Sequence, residues 1–137
     1  FAPVIKKATE ISIANFQENH TYTILLILTD GAICDMSDTI DAIVEGSEAP
    51  LSIIIIGVGD ADFDCMDVLD ADEKPLKSKG KYMSRDIVQF VPFNKFKNKG
   101  MERLEREVLA EVPAQLHQYC STHGFTPQIN CNDDILS

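Results

Sequence analysis

Two aliphatic runs limit what this chain can fold into: Ile24-Leu25-Leu26-Ile27-Leu28, and Leu51-Ser52-Ile53-Ile54-Ile55-Ile56, in which only Ser52 is polar. Both are too short for a helix of ordinary length, and both end abruptly in turn residues, Thr29-Asp30-Gly31 and Gly57-Val58-Gly59-Asp60. Apolar runs without alternation read as strands buried on both faces, which points to a parallel sheet covered by helices. Between them, Met36, Ile40, Ile43 and Val44 recur at i, i+4, i+7 and i+8, so they share one face of a helix. Asp35 or Ser37 is placed to cap that helix, Gly46 to close it, and Pro50 precedes the next strand. Strand, helix, strand in this order is a right-handed βαβ unit.

The remaining segments fit around that unit. Residues 3–18 read as a helix with Pro3 in its first turn and Val4, Ala8, Ile11 and Phe16 as its apolar stripe. Residues 60–73 are acidic, with a helical turn around Cys65–Leu69, and residues 74–85 form a basic, exposed loop. Ile87–Val91 is a third strand, stopped by Pro92. A last helix starts near Met101, with Met101, Leu104, Val108, Val112, Leu116 and Tyr119 as its core stripe and Pro113 kinking or restarting it. From Thr126 onward the chain reads as a frayed tail.

At 137 residues the chain is one domain, long enough to bury a core. A net charge of −10 argues against a nucleic-acid-binding role. No apolar segment approaches the roughly 18 residues that span a bilayer, and no signal peptide is recognisable. The first residue is Phe1 rather than Met, from which a longer parent protein is expected. Four cysteines, Cys34, Cys65, Cys120 and Cys131, lie far apart without a CxxC pair, and are expected to be reduced thiols in a cytosolic protein.

Ligands of open parallel sheets bind beyond the carboxyl ends of the strands, so Asp30 is the first candidate for chemistry. A carboxylate beside a threonine hydroxyl suits a hard cation such as Mg²⁺ or Ca²⁺. The plainer reading is an Asp that caps the following turn. Gly57-Val58-Gly59 resembles the start of a phosphate loop, but Asp62 stands where a third glycine belongs, so a close backbone turn is the better account. Asp60, Asp62 and Asp64 open like an EF-hand, which then fails at Cys65 and Ala71. His117, Cys120 and His123 lack a fourth zinc ligand other than Cys131, and a plain helix end is expected there. There is no HExxH, no GxSxG and no supported Cys–His pair, and the chain is not expected to be an enzyme. Lys74, Lys77, Lys79 and Lys81, with Arg85, make a basic loop that would gain about 1 kcal/mol per residue near anionic lipid headgroups. The acidic stretch beside it favours a self-neutralising surface instead.

Four segments together, TILLILTDGAICDM, SIIIIGVGDADF, RDIVQFVPF and EVLAEVPAQL, closely resemble the C-terminal A domain of the copines. The resemblance runs from Phe1 to about Gln128, leaving 129–137 as a flexible tail. It implies a von Willebrand factor A-type, Rossmann-like α/β fold: a mostly parallel sheet flanked by helices, here apparently without its N-terminal strand. It also implies a protein-interaction module, with Thr29, Asp30, Gly31 and Asp60 facing cytosolic signalling or cytoskeletal partners. Calcium-dependent phospholipid binding in the family belongs to C2 domains that this chain does not include. Cytoplasm and the inner face of the plasma membrane are the implied locations, with the nucleus as a further one. A-type domains hold a divalent ion through a DxSxS motif, a threonine and an aspartate after a later strand. Only the last has a match here, Asp30 beside Thr29. Mg²⁺ or Ca²⁺ is therefore implied for a complete domain and weak or absent binding for this chain. Without the first strand, neighbouring sheet edges would be left open, or a partner chain would fill the gap. Two rival readings are a phosphate- or nucleotide-binding domain using Gly57–Gly59, and direct lipid contact through the 74–85 loop.

Overall fold

The computed structural model describes residues 1–31, 33–60, 63, 66–70 and 75–124. In chain order these form α1 (Ala2–Asn19), β1 (Thr23–Thr29), α2 (Met36–Gly46), β2 (Leu51–Gly57) and a short α3 (Asp67–Asp70). A hairpin of β3 (Lys77–Ser78) and β4 (Lys81–Tyr82) follows, then β5 (Val88–Pro92), α4 (Met101–Leu109) and α5 (Val112–His123). β1, β2 and β5 make one parallel sheet in the order β1-β2-β5, with Thr23 opposite Leu51 and Ile53 opposite Val88. The α/β architecture with a parallel sheet flanked by helices is the one expected.

The two aliphatic runs do not share one fate. Every residue of the central β2 is buried, as its composition requires. β1 is an edge strand among the described residues, and its burial alternates. Leu25 and Ile27 pack on the core formed with α1 and α2, while Ile24, Leu26 and Leu28 are 45%, 53% and 66% exposed. The expectation of a strand buried on both faces is therefore corrected for β1. On its second face the helices are drawn over β2 and β5 instead. Ser52 donates to Gln115 Oε1 of α5, and Gln89 Nε2 donates to the Glu107 carbonyl of α4.

α1 packs through Ala2, Ile5, Ala8 and Ser12, so of the anticipated stripe Ala8 is buried, whereas Val4 and Ile11 are 53% and 44% exposed. Small residues decide this, because they let α1 approach α2 closely. A Cβ on Gly46 would lie 2.9 Å from Thr9 Oγ1, so Gly46 serves that approach. It is the last residue of α2 rather than a left-handed stop, and Ser47 after it keeps right-handed helical angles.

Asp35 precedes α2 but does not cap it with its side chain. Its carboxylate instead accepts from the Ala2 N–H at 3.1 Å and from the Thr39 hydroxyl at 3.1 Å. It thus neutralises the positive end of α1 and ties α1 to α2. Asp35→Asn is expected to cost about 1 kcal/mol at neutral pH, roughly 3 °C in melting temperature, read in thermal melts. An unchanged midpoint would show that these bonds do not fasten α1 to α2.

The last helical stretch breaks in two, with Pro113 in the first turn of α5, as a restart requires. α4 buries none of its residues, and Met101 is 68% exposed, so its part of the proposed core stripe is not core. Of that stripe only Tyr119 is buried. Within the 74–85 loop, Lys79 and Gly80 both have positive φ (50° and 82°), the pattern of a tight hairpin turn. Leu76 and Arg85 are buried, so neither belongs to the exposed loop in which the sequence reading had put them.

Arg85 is 5% exposed and has no carboxylate partner among the described residues. Its guanidinium donates to the Tyr22 hydroxyl (3.1 Å) and to the carbonyls of Gln115 (3.1 Å), Ala49 (2.5 Å) and Leu51 (2.9 Å). The rings of Tyr22 and Tyr119 lie 5.8 and 5.2 Å from it. One planar cation thus binds together the lead-in to β1, the start of β2 and α5.

Candidate functional site at the carboxyl edge of the sheet

The parallel sheet sends the ends of β1, β2 and β5 to one edge, and each end carries a polar turn. The Thr29 carbonyl accepts from the Val58 N–H at 2.8 Å, which locks the end of β1 to the end of β2. The Thr29 hydroxyl donates to the Gly31 carbonyl (3.0 Å) and accepts from the Gly31 N–H (3.4 Å). The turn is therefore closed by Thr29, not by Asp30 as the plainer reading supposed. Asp30 is left exposed on its crest.

At the end of β2, a Cβ on Gly57 would come within 3.0 Å of the Phe63 ring, which itself packs 5.7 Å from Phe90. Gly59 has φ +86° and needs no side chain there. Both glycines serve the close backbone turn that was expected in place of a phosphate loop. After β5, a short 3-10 turn (Phe93–Lys95) carries Asn94. Its side-chain amide donates to the Gly59 carbonyl and, at 3.1 Å, to Asp60 Oδ1. Asn94 is the residue that sequence reasoning missed; nothing but a polar amide just past Pro92 pointed to it.

A resident divalent ion does not fit the side chains placed here. Mg²⁺ asks for near-octahedral oxygens and Ca²⁺ for more. The Thr29 hydroxyl is committed to its own turn, and one Asp60 oxygen to Asn94. No group of three or more His, Cys, Asp or Glu able to hold a metal occurs among the described residues. Asp62 and Asp64 lie outside them.

The other candidates fall elsewhere. Lys77, Lys79 and Lys81 lie on the β3–β4 hairpin, which is fastened to α2 by the Ser78 hydroxyl on Asp41 and by Lys81 on Glu48 at 2.8 Å. Lys81 holds the Glu48 carboxyl below its ordinary pKa. Lys77 sits 5.1 Å from the Tyr82 ring, so two of these three lysines already have partners. Lys74 lies outside the described residues. On α5, Cys120 is buried, and the His123 ring stacks on Tyr119 at 4.1 Å, with its Nδ1 3.0 Å from the Tyr119 carbonyl. These are packing contacts of a helix end; Cys65 and Cys131 lie outside the described residues, as does the segment 129–137. No described helix is long and apolar enough to cross a membrane. A family model described as Copine matches residues 1–128.

Proposed function

The chain belongs to the copine family, and we propose that it acts as a protein-interaction module rather than as an enzyme. The contact surface is the carboxyl edge: Thr29, Asp30, Gly31 and Asp60, with Asn94 added. One observation carries this choice. The Asn94 amide fastens Asp60 to the turn after β2 while Thr29 fixes the turn that bears Asp30, so two exposed carboxylates are held on one edge. A partner that meets them with lysine or arginine would gain charge-assisted hydrogen bonds without first ordering the turns. Cytosolic signalling or cytoskeletal proteins are the partners that the family resemblance suggests, at the cytoplasmic face of the plasma membrane. Membrane attachment itself would come from C2 domains elsewhere in a parent protein.

Quantitative affinity capture from cytosol tests the surface. Asp30→Lys/Asp60→Lys is expected to lose the captured proteins, and Lys79→Glu on the hairpin to keep them. Retention by the acid-reversed variant, or loss with Lys79→Glu alone, would overturn the assignment and move the contact to the hairpin.

Asp30 by itself is a poor Mg²⁺ or Ca²⁺ ligand, since a single carboxylate supplies too few of the oxygens required. In thermal melts with millimolar Mg²⁺, Mn²⁺ or Ca²⁺ the midpoint is expected to move by less than about 1 °C, in the parent and in Asp30→Ala alike. A metal-dependent rise abolished by Asp30→Ala would instead make the ion part of the interaction.

A further inference from the structure

The β3–β4 hairpin is fixed at its base and lightly held at its tip. Leu76 is buried in the core, Met83 packs against that core, and the Met83 N–H donates to the Leu76 carbonyl at 2.9 Å. Beyond this point each strand has two residues, Lys77 opposite Tyr82 and Ser78 opposite Lys81, joined by the turn at Lys79-Gly80. A ribbon this short is not stable by itself. Two side-chain bonds fasten it along α2: the Ser78 hydroxyl donates to Asp41 Oδ1, and Lys81 pairs with Glu48. Opening the tip therefore breaks few contacts and belongs to the low-energy end of local unfolding.

Around that serine the chain reads Lys74-Pro75-Leu76-Lys77-Ser78-Lys79-Gly80-Lys81, so lysine stands on both sides of one hydroxyl and recurs further out in each direction. In a chain of net charge −10 this is a local concentration of positive charge, the pattern that a serine kinase with an acidic substrate cleft selects. We propose that Ser78 is a phosphorylation site for such a kinase, and that the phosphate holds the hairpin tip away from α2. Half-buried in the docked hairpin, Ser78 meets the kinase when the tip opens. Its Oγ then bonds to the γ-phosphorus of ATP, the bond from that phosphorus to ADP breaks, and the hydroxyl proton passes to the kinase's base. The donor that Asp41 accepted is thereby lost. In its place stands a group of about −1.5 to −2 charge whose acceptor oxygens face a carboxylate that is itself an acceptor. Lys81 can turn to the phosphate only by leaving Glu48, which weakens the second bond as well. Ser84 is exposed too, but the one cation beside it, Arg85, is buried.

Incubation of the folded chain with ATP and the catalytic domain of protein kinase C, followed by peptide mapping, is expected to place phosphate on Ser78 and to leave the same peptide of Ser78→Ala unlabelled. Amide hydrogen exchange within 77–82 should then rise at least about tenfold in the phosphorylated chain, while the amides of β2 stay protected. Asp41→Asn separates charge repulsion from mere bulk. Its side-chain amide donates to a phosphate oxygen, so phosphorylated Asp41→Asn should regain most of the lost protection. Should that variant not melt cooperatively, Asp41→Ser, which also supplies a donor, takes its place. No phosphate on Ser78 of the folded chain, phosphate without faster exchange, or equally fast exchange in the phosphorylated Asp41 variant would each overturn the proposal.

Discussion

Replacing Arg85 with alanine should lower the unfolding free energy by about 4 kcal/mol and the melting temperature by more than about 10 °C. The size follows from what is left behind. Three backbone carbonyls, of Ala49, Leu51 and Gln115, lose a charged donor in a buried place, and water has little access to replace it. A hydrogen bond to a charged group contributes about 1.5–3 kcal/mol, and bonds sharing one side chain do not add in full. The Tyr22 and Tyr119 rings also lose the cation between them. Against a total stability of about 5–15 kcal/mol, such a loss unfolds a marginal domain at body temperature. Arg85→Lys should recover less than half of it, because an ammonium cannot replace a planar fork reaching several acceptors at once. Urea titrations with unchanged slope and a lowered midpoint would register the effect. A change under about 1 kcal/mol would mean that α5 and the start of β2 hold together without the guanidinium.

Arg85 also shows where the sequence stops being legible. In the linear chain it ends a run of lysines and belongs to a basic loop by every local criterion. Its burial depends on carbonyls from residues 49, 51 and 115, which no local pattern links to it. The same holds for Asn94, whose partners Gly59 and Asp60 come from the turn after a different strand. What could be read were features carried by short-range periodicity. The βαβ unit, the break at Pro113 and the strand ended by Pro92 depend on neighbours a few residues apart. α1 lies between these extremes. Its helix was readable, but its buried face was only partly so, because small Ala2, Ala8 and Ser12 are buried with Ile5 in place of the larger Val4 and Ile11, and Thr9 meets Gly46 of α2. Hydrophobicity predicts which side chains prefer burial; close approach of two helices selects by size as well.

The two aliphatic runs offer the sharpest test of how position overrides composition. Ile55→Ala should cost about 3–4 kcal/mol, whereas Leu28→Ala, measured at dilute protein, should cost under about 1 kcal/mol. By sequence the two residues are equivalent: each lies in an unbroken apolar run of a parallel strand, close to its carboxyl end. In the fold, Ile55 is fully buried in the middle strand, while Leu28 is 66% exposed on the edge strand. Truncating Ile55 removes buried methyl groups and leaves a cavity between β2 and the α1–α2 layer, which can close only in part. At Leu28, most of the side chain already contacts water, and no cavity forms. The comparison also separates two accounts of β1. If its second face were covered in the isolated chain, by α4 or by rearranged termini, Leu28→Ala would approach the cost of Ile55→Ala. Equal losses in paired urea titrations would therefore refute an open β1 face.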